Sequence, residues 1–419
     1  MDVQWIEILL FISILQSGLN RCDAQGSSLS FKRCGDDLKE FEDCQCGFLD
    51  NAHKRLDTLM CMDIDFPDAS YIKKIPFDDM VDTLSNLTIT GSNFPELPIN
   101  LLGDCSHESG KTLQHSYLAL DILDLSNNNI NVIHGKTFHC MQNLRVMVLN
   151  DNNLDHPEYS PRMFSDLEGL EVLHLRNAFN FDRQGTADQT LLTLAQIFEG
   201  SEMESLRELH LEDNYIGSFD TNLFRRLPDL EKLYLSSNYL MDPVLSNSCY
   251  TKFNDGEMEI PCRLKEVYLN SNSITDLSQE FMDGIDGMHT DVMLDLSSNP
   301  FWCDCNFAKS HQWLKGRKDL LMNAHRTLCN GPGELFGKAV LSLNETDLQK
   351  CVAQSEGSKA GEIVLIIFCV AAVIVIIGLV LIRRELIKKK TQKLRETHMP
   401  RFFSKASGYN TVTNPASEV

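Results

Sequence analysis

Positive charge is scarce in this 419-residue sequence. It contains 38 Lys and Arg residues against 59 Asp and Glu residues, which gives a formal net charge of -21 at pH 7. Nucleic-acid-binding proteins need basic patches to neutralise phosphates, so this balance argues against nucleic acid as a partner. The charge is uneven: residues 383–419 contain nine Lys or Arg and three Asp or Glu, hence +6, so residues 1–382 carry -27.

Motifs that bind cofactors or carry catalysis are also missing. The sequence contains no G-x-G-x-x-G segment, no phosphate-binding P-loop and no H-E-x-x-H pair. Its 12 histidines are scattered along the chain. We therefore expect a protein that is not an enzyme, with no catalytic residues, no metal site and no cofactor. An enzyme whose site is assembled only by the fold is the alternative.

The sequence does contain a repeated ladder of apolar residues that ends in asparagine. The copies are Leu120-Leu123-Leu125-Asn128, Leu144-Met147-Leu149-Asn152, Leu206-Leu209-Leu211-Asn214, Leu230-Leu233-Leu235-Asn238, Leu264-Val267-Leu269-Asn272 and a partial Leu294-Leu296-Asn299. The best copies recur with a period of 24 residues, and this is the spacing of leucine-rich repeats. An amphipathic helix does not fit, because the 3-2-3 spacing matches no 3.6-residue period.

This ladder predicts an α/β solenoid, a leucine-rich repeat horseshoe of stacked strands. The leucines point inward, and the residues between them line the concave face. The asparagine amide both donates and accepts, so it can satisfy peptide groups that stacking hides from water. Two copies depart from the pattern: Ser92 takes the asparagine position in a first repeat that begins at Leu84, and Ala178 takes it in the repeat that begins at Leu170.

The strand position between the second and third ladder residues is the candidate binding surface. Along the chain it is occupied by Asp124, Val148, His174, His210, Tyr234 and Tyr268. Aromatic side chains on a rigid surface are typical interface anchors. We therefore predict that His174, His210, Tyr234 and Tyr268 bind a protein ligand or co-receptor on the concave face; cross-strand packing without a partner is the alternative. Both histidines would ordinarily titrate near endosomal pH.

Two apolar segments predict a single-pass type I protein of the plasma membrane. Residues 363–382 are twenty residues without a charge, long enough to cross a bilayer core of about 30 Å. Arg383 and Arg384 follow at once, so the C-terminus is expected in the cytoplasm and the N-terminus outside. Residues 5–15 form a shorter apolar core, which predicts a signal peptide, although its positive n-region is missing.

The predicted organisation follows from these segments and from the cysteines. We expect a signal peptide at 1–24, an N-terminal cysteine-rich cap at 25–66, repeats at 67–299, a C-terminal cysteine-rich cap at 300–351, a stalk at 352–362, a transmembrane helix at 363–382 and a cytoplasmic tail at 383–419. Of the 14 cysteines, Cys22 and Cys369 fall in the two apolar segments. The other twelve predict six disulfides in an oxidising compartment.

Cysteine pairing is only partly constrained by the sequence. Cys34, Cys44, Cys46 and Cys61 form one cluster that allows three pairings, and its C-x-C step excludes the spacing of a zinc ribbon. Cys105 lies in an insertion after the first repeat, and we predict that it pairs with Cys140, one repeat on. Cys249 and Cys262 lie in one later insertion, and we predict that they pair with each other. Asn86 and Asn344 begin glycosylation sequons, which have meaning only in the same compartment.

The predicted tail offers two short motifs. Ser417, Glu418 and Val419 suit the groove of a PDZ-domain adaptor, which captures a terminal carboxylate and an apolar last side chain. Tyr409 and Val412 fit a tyrosine-based endocytic signal.

The layout as a whole resembles the trophoblast glycoprotein family over nearly the entire chain. The residues that carry the resemblance include Leu87-Thr88-Ile89-Thr90-Gly91, the irregular repeat at Leu170, Leu206-Arg207-Glu208-Leu209, Asn299-Pro300-Phe301-Trp302-Cys303-Asp304-Cys305, Leu343-Asn344-Glu345-Thr346 and Ser417-Glu418-Val419. The wider Cys34–Cys44 spacing, the Cys249–Cys262 insertion and the presence of only two sequons depart from the family.

This resemblance implies both disulfides and a function. The caps of such extracellular proteins imply the pairings Cys34–Cys46, Cys44–Cys61, Cys303–Cys329 and Cys305–Cys351. The family implies a cell-surface protein that dampens Wnt/β-catenin signalling by acting on a Wnt co-receptor. The residues alone indicate only a membrane-anchored binding scaffold, and an adhesion molecule that binds partners in trans is the alternative.

Overall fold

A computed structural model gives the architecture of most of the repeat region and of both caps. It describes residues 30–35, 38–49, 55–75, 82–102, 119–139, 141–154, 162–164, 166–179, 198, 201, 203–217, 227–243, 263–288, 291–344, 346–348, 382–384, 386–387 and 389. The signal peptide, the stalk, residues 363–381 of the predicted span, and Tyr409, Val412, Ser417, Glu418 and Val419 lie outside these residues.

The described residues up to 348 form sixteen short strands and two α-helices. The strands are β1 (Ser30–Arg33), β2 (Gln45–Phe48), β3 (Leu56–Met62), β4 (Asn86–Thr90), β5 (Glu96–Leu97), β6 (Ile122–Asp124), β7 (Val132–Ile133), β8 (Val146–Val148), β9 (Val172–His174), β10 (Glu208–His210), β11 (Lys232–Tyr234), β12 (Glu266–Tyr268), β13 (Met293–Asp295), β14 (Phe301–Trp302), β15 (Leu321–Met322) and β16 (Cys329–Gly331). The helices are α1 (Gln279–Asp286) and α2 (Ala308–Gly316).

Twelve of these strands make one sheet, in the order β1-β2-β3-β4-β6-β8-β9-β10-β11-β12-β13-β15. The hairpin β1–β2 and the pair β2–β3 are antiparallel, and every later pairing in this sheet is parallel. Each repeat contributes one strand, placed beside the strand of the preceding repeat. The leucine-rich solenoid predicted from the ladder is therefore confirmed.

Buried leucines account for the stacking. The middle residue of each repeat strand, such as Leu123, Leu209 and Leu233, is fully buried. The other ladder positions are buried as well, so each repeat covers the apolar edge of its neighbour.

The ladder asparagines satisfy the backbone where the chain leaves the sheet. Asn152 accepts from the amides of Asn128 and Ile130 at 3.1 and 3.0 Å, and its Nδ2 donates to the carbonyls of Leu125 and Leu149 at 3.1 and 2.8 Å. Asn214, Asn238, Asn272 and Asn299 make the same kinds of contact. The predicted role of these amides is confirmed.

In the two irregular repeats, a backbone carbonyl or a hydroxyl group makes a hydrogen bond to the buried backbone in place of the asparagine. Ala178 has no amide side chain, and the Leu154 amide donates to the Ala178 carbonyl at 2.8 Å instead. Ser92 donates through its hydroxyl to the Ile64 carbonyl at 2.5 Å.

Both ends of the sheet are covered by disulfide-bonded caps. At the N-terminal end, Cys34 is bonded to Cys46 and Cys44 to Cys61. At the C-terminal end, Cys303 is bonded to Cys329. The predicted bonds Cys105–Cys140, Cys249–Cys262 and Cys305–Cys351 each include a cysteine outside the described residues, so these three bonds stay predictions.

Helix α1 and helix α2 meet in the C-terminal region. Asp286 ends α1, and its carboxylate accepts from Trp313 Nε1 at 2.9 Å and pairs with Arg317 at 2.6 Å. Within the described part of the chain, no helix is both long and apolar enough to span a bilayer.

Candidate protein-binding surface

The predicted aromatic row lies in register across the sheet. Direct pairing joins Val148 to His174, His174 to His210, His210 to Tyr234 and Tyr234 to Tyr268. Because strand residues alternate between faces and the middle leucines are buried, these side chains point away from the core. We call this side of the sheet the open face; it corresponds to the concave face of the predicted solenoid.

Four rings on the open face form one continuous stack. The ring centroids of His174 and His210 are 4.0 Å apart, those of His210 and Tyr234 are 4.0 Å apart, and those of Tyr234 and Tyr268 are 4.4 Å apart. The three interplanar angles are 21°, 8° and 7°. Aromatic pairs of this kind contribute about 0.5–1.5 kcal/mol each beyond the area that they bury.

This geometry turns the edges of the rings outward. The centroids follow each other from strand to strand at less than the usual strand spacing of about 4.8 Å, so each ring face lies against its neighbour. A ring edge carries the positive part of the quadrupole and, here, the phenol and imidazole groups. The open face therefore presents a line of hydrogen-bonding ring edges.

Charged side chains flank the stack on both sides. Lys232 Nζ lies 3.0 Å from Glu208, and the Tyr268 hydroxyl donates to Glu266 at 2.7 Å. Glu212 lies 3.2 Å from Nδ1 of His210 on the other side of the row. Its second oxygen, Oε2, is buried. The net charge of the surface around the rings is negative.

The surroundings of the stack change the protonation of its members. Burial, and then the neighbouring His210, hold the pKa of His174 well below its usual value of 6.5. Burial raises the pKa of Tyr234 to about 12, with Glu208 and Glu266 adding to the effect. Burial and the hydrogen bond to Glu266 raise the pKa of Tyr268 as well. The expectation that His174 titrates near endosomal pH is therefore wrong, because the imidazole is only 8% exposed.

A second row on the open face was missed by sequence reasoning. It precedes the buried leucine in each strand, and it reads Asn86, Ile122, Val146, Val172, Glu208, Lys232 and Glu266. Its first part is uncharged and its second part alternates in sign. The signal was available in the ladder, since the residue before the second ladder position must face the same side as the residue after it.

A charged row borders this second row. Arg145 contacts Glu171 through two nitrogens at 2.9 and 3.0 Å and lies 3.5 Å from Asp121. Farther along, Lys265 lies 2.8 Å from Glu231. These half-exposed pairs fix the rim of the open face and contribute little stability each.

The two predicted glycosylation sites lie in different parts of the fold. Asn86 begins β4 and is half-buried on the open face, whereas Asn344 is exposed in the C-terminal cap. Among the residues that the structure describes, no three His, Cys, Asp or Glu side chains are grouped so that they could hold a metal ion.

Comparison with known families identifies the repeats. The family described as Leucine rich repeat matches residues 119–178 and 191–240. These segments contain the strands β6 to β11.

Whole-chain comparison gives several relatives. Trophoblast glycoprotein of Macaca fascicularis is 26% identical over 274 residues, which are 63% of this chain and 59% of that protein. Trophoblast glycoprotein of Mus musculus is 25% identical over 333 residues, 76% of this chain and 72% of that protein. Human Toll-like receptor 3 is 29% identical over 184 residues, but these are only 18% of its length.

A solved structure shares the fold. The crystal structure of human 5T4, also titled Wnt-activated inhibitory factor 1 or trophoblast glycoprotein, aligns with a TM-score of 0.56 at 22% identity. The alignment covers 73% of this chain and 96% of that chain. The resemblance predicted from the sequence is thus confirmed at the level of relatives and fold.

Proposed function

Because this chain is a leucine-rich-repeat protein related to trophoblast glycoprotein, we propose that it is a cell-surface protein that binds a protein partner through its open face. The predicted signal peptide, the apolar segment at 363–382 and the basic residues after it support a single-pass type I protein of the plasma membrane. The disulfides of both caps support an oxidising, extracellular compartment.

The observation that carries the proposal is the ring stack on the open face. His174, His210, Tyr234 and Tyr268 are held rigidly by stacking and by the sheet, so little side-chain entropy is lost when a partner docks on them. The outward ring edges and the flanking carboxylates supply directional contacts. Large aromatic residues held in this way are the usual centres of protein interfaces.

We propose further that the bound partner is a Wnt co-receptor or an associated surface protein, and that binding dampens Wnt/β-catenin signalling. The support is the relationship to trophoblast glycoprotein, whose human form carries the name Wnt-activated inhibitory factor 1. In the cytoplasm, Ser417, Glu418 and Val419 would recruit a PDZ-domain adaptor.

The structure offers a matched pair of variants to test the binding surface. Tyr234 and Tyr268 stack on the open face, whereas Tyr215 and Tyr239 stack on each other at a centroid distance of 5.7 Å after the ladder asparagines. Tyr215 and Tyr239 are 38% and 55% exposed. The double variant Tyr234→Ala/Tyr268→Ala removes two stacked tyrosine rings from neighbouring repeats on the open face. The control Tyr215→Ala/Tyr239→Ala also removes two stacked tyrosine rings from neighbouring repeats, but outside that face.

Proximity labelling on living cells measures the outcome. We expect the Tyr234/Tyr268 variant to label fewer surface proteins than the wild type, and the control to label the same proteins as the wild type. Both variants should be present at the cell surface. The signal of a β-catenin-responsive reporter should rise in cells that express the Tyr234/Tyr268 variant, relative to cells that express the wild type. Identical labelling by the wild type and the Tyr234/Tyr268 variant would exclude the open face, and cell aggregation without a reporter change would favour adhesion in trans instead.

A further inference from the structure

Asn86 stands on the open face of the sheet and not in a loop. It begins β4, where it pairs with Thr58 of β3 and with Ile122 of β6. The next residue, Leu87, is fully buried, so Asn86 and Thr88 both point to the open face. A glycan at this sequon would therefore be attached within the binding surface.

The side-chain surroundings of Asn86 can hold a substituted amide. Its Nδ2 lies 3.0 Å from Ser85 Oγ, 3.2 Å from Thr58 Oγ1 and 3.5 Å from Asp57 Oδ2. A free amide has two hydrogens for these three acceptors, and a glycosylated amide keeps one. The remaining N–H still reaches Ser85 or Thr58, and both hydroxyls already donate to the Asp57 carboxylate, at 2.9 and 2.8 Å.

We propose that Asn86 carries an N-linked oligosaccharide that covers the first strands of the open face and confines the protein partner to β10 and the strands that follow it. The inference rests on the proposed function, because the modification requires the secretory pathway. In the reaction, the Nδ2–C1 bond forms as the C1–O bond to the pyrophosphate of a lipid-linked oligosaccharide breaks. The lipid pyrophosphate leaves, and one Nδ2 proton is released.

The second row on the open face changes from apolar to charged side chains between β9 and β10. Ile122, Val146 and Val172 follow Asn86 in the same row and are half-buried, uncharged and β-branched. The apolar faces of sugar rings can pack against the part of these side chains that remains open to water. From the next strand onward the row is charged, with Glu208, Lys232 and Glu266 beside the ring stack.

The usual spacing between strands gives the distances from Asn86 to the other strands of the open face. With about 4.8 Å between strands, Ile122 lies roughly 5 Å and Val146 roughly 10 Å from Asn86, whereas the strand of His210 is roughly 19 Å away. The strands from β10 onward, which carry His210, Tyr234 and Tyr268, lie beyond this range and stay open to the partner.

Mass spectrometry and footprinting test the proposal on the full-length chain from mammalian cells, purified in detergent. Intact glycopeptide analysis measures the occupancy of Asn86. Hydroxyl-radical footprinting then compares side-chain oxidation before and after N-glycans are removed enzymatically from the folded protein, so that no variant has to fold. We expect oxidation of Ile122 and Val146 to rise severalfold, with Tyr234 and Tyr268 unchanged.

Two variants separate the effect of this glycan from that of the other sequon. Asn86→Gln should reproduce the rise at Ile122 and Val146, and Asn344→Gln should leave oxidation there at the wild-type rate. An unoccupied Asn86, unchanged oxidation at Ile122 and Val146, or an equal rise at Tyr234 and Tyr268 would overturn the proposal. No readout involves a partner, so this inference and the proposed function can fail independently.

Discussion

His174 is the residue whose chemistry is changed most by its position in the stack. It is 8% exposed and lies against the ring of His210, whose charge would oppose its own. Both effects disfavour the imidazolium and lower the pKa of His174 well below 6.5. The imidazole thus serves as a neutral, flat packing group, and a proton-sensing role does not suit it.

This burial predicts acid-sensitive stability. Between the lowered folded-state pKa and 6.5, the unfolded chain binds a proton that the folded chain excludes. This contribution to the free energy of unfolding is therefore fully present above about pH 6.5 and falls as pH falls, by up to roughly 1.4 kcal/mol for each pH unit. The variant His174→Phe keeps a flat ring without a titrating group, and we expect a weaker pH dependence.

Denaturant unfolding at about pH 7.5 and about pH 5.5 measures this difference. Because other groups also titrate, the relevant quantity is the change in unfolding free energy for the wild type minus that for His174→Phe. Equal changes in the two proteins would show that His174 accepts a proton in the folded state.

At the residue scale, the face of the sheet on which a side chain lies was easier to predict than the groups that surround it. The ladder places His174 on the open face because alternation along a strand is fixed by backbone geometry. Its protonation depends on the ring of His210, which is 36 residues away in sequence and adjacent only after the repeats stack. The same holds for Ala178, whose missing amide is replaced by a backbone contact that no sequence spacing indicates.

At the element scale, the turn that follows each regular repeat strand depends on one asparagine. The four contacts of Asn152 join the turn after β8 to the turn after β6, and all four backbone partners are hidden from water. A buried peptide group without a partner costs about 1–3 kcal/mol. Each ladder asparagine therefore couples two neighbouring repeats.

Substitution of neighbouring asparagines tests this coupling. Asn152→Ala leaves two amides and two carbonyls without their side-chain partner, so we expect a loss of roughly 2–5 kcal/mol in unfolding free energy. Asn153→Ala, at the half-buried next position, is the matched control and should change it by less than about 1 kcal/mol. Denaturant unfolding of both variants measures the losses, and similar values for the two would refute the coupling.

The sheet itself was predictable at this scale because its signal is periodic. Every regular copy of the ladder became one strand, and the row of His174, His210, Tyr234 and Tyr268 lies in register as the repeat period requires. The edge-outward stacking of the rings was not predictable. It depends on χ angles and on packing between adjacent strands, which the spacing of leucines does not determine.

At the scale of the whole molecule, the described repeats form a row in which each strand pairs with the strands of the neighbouring repeats. Stability is then a sum of local terms, and the ends are the weakest points unless they are covered. The Cys34–Cys46 and Cys44–Cys61 bonds hold one end, and the Cys303–Cys329 bond helps to hold the other. The cap cysteines were visible in the sequence, but their cluster alone left three pairings open.

Removal of the Cys303–Cys329 bond should therefore loosen one end of the sheet and leave the far end intact. The bond joins residues 26 positions apart, and a loop of that length corresponds to about 3 kcal/mol through the unfolded state. In Cys303→Ala/Cys329→Ala we expect faster amide hydrogen exchange in β13 and β15, which lie at that end, and unchanged exchange in β6 and β8. Uniformly faster exchange across the sheet would instead mean that the repeats unfold as one cooperative unit, and that the cap stabilises all of them equally.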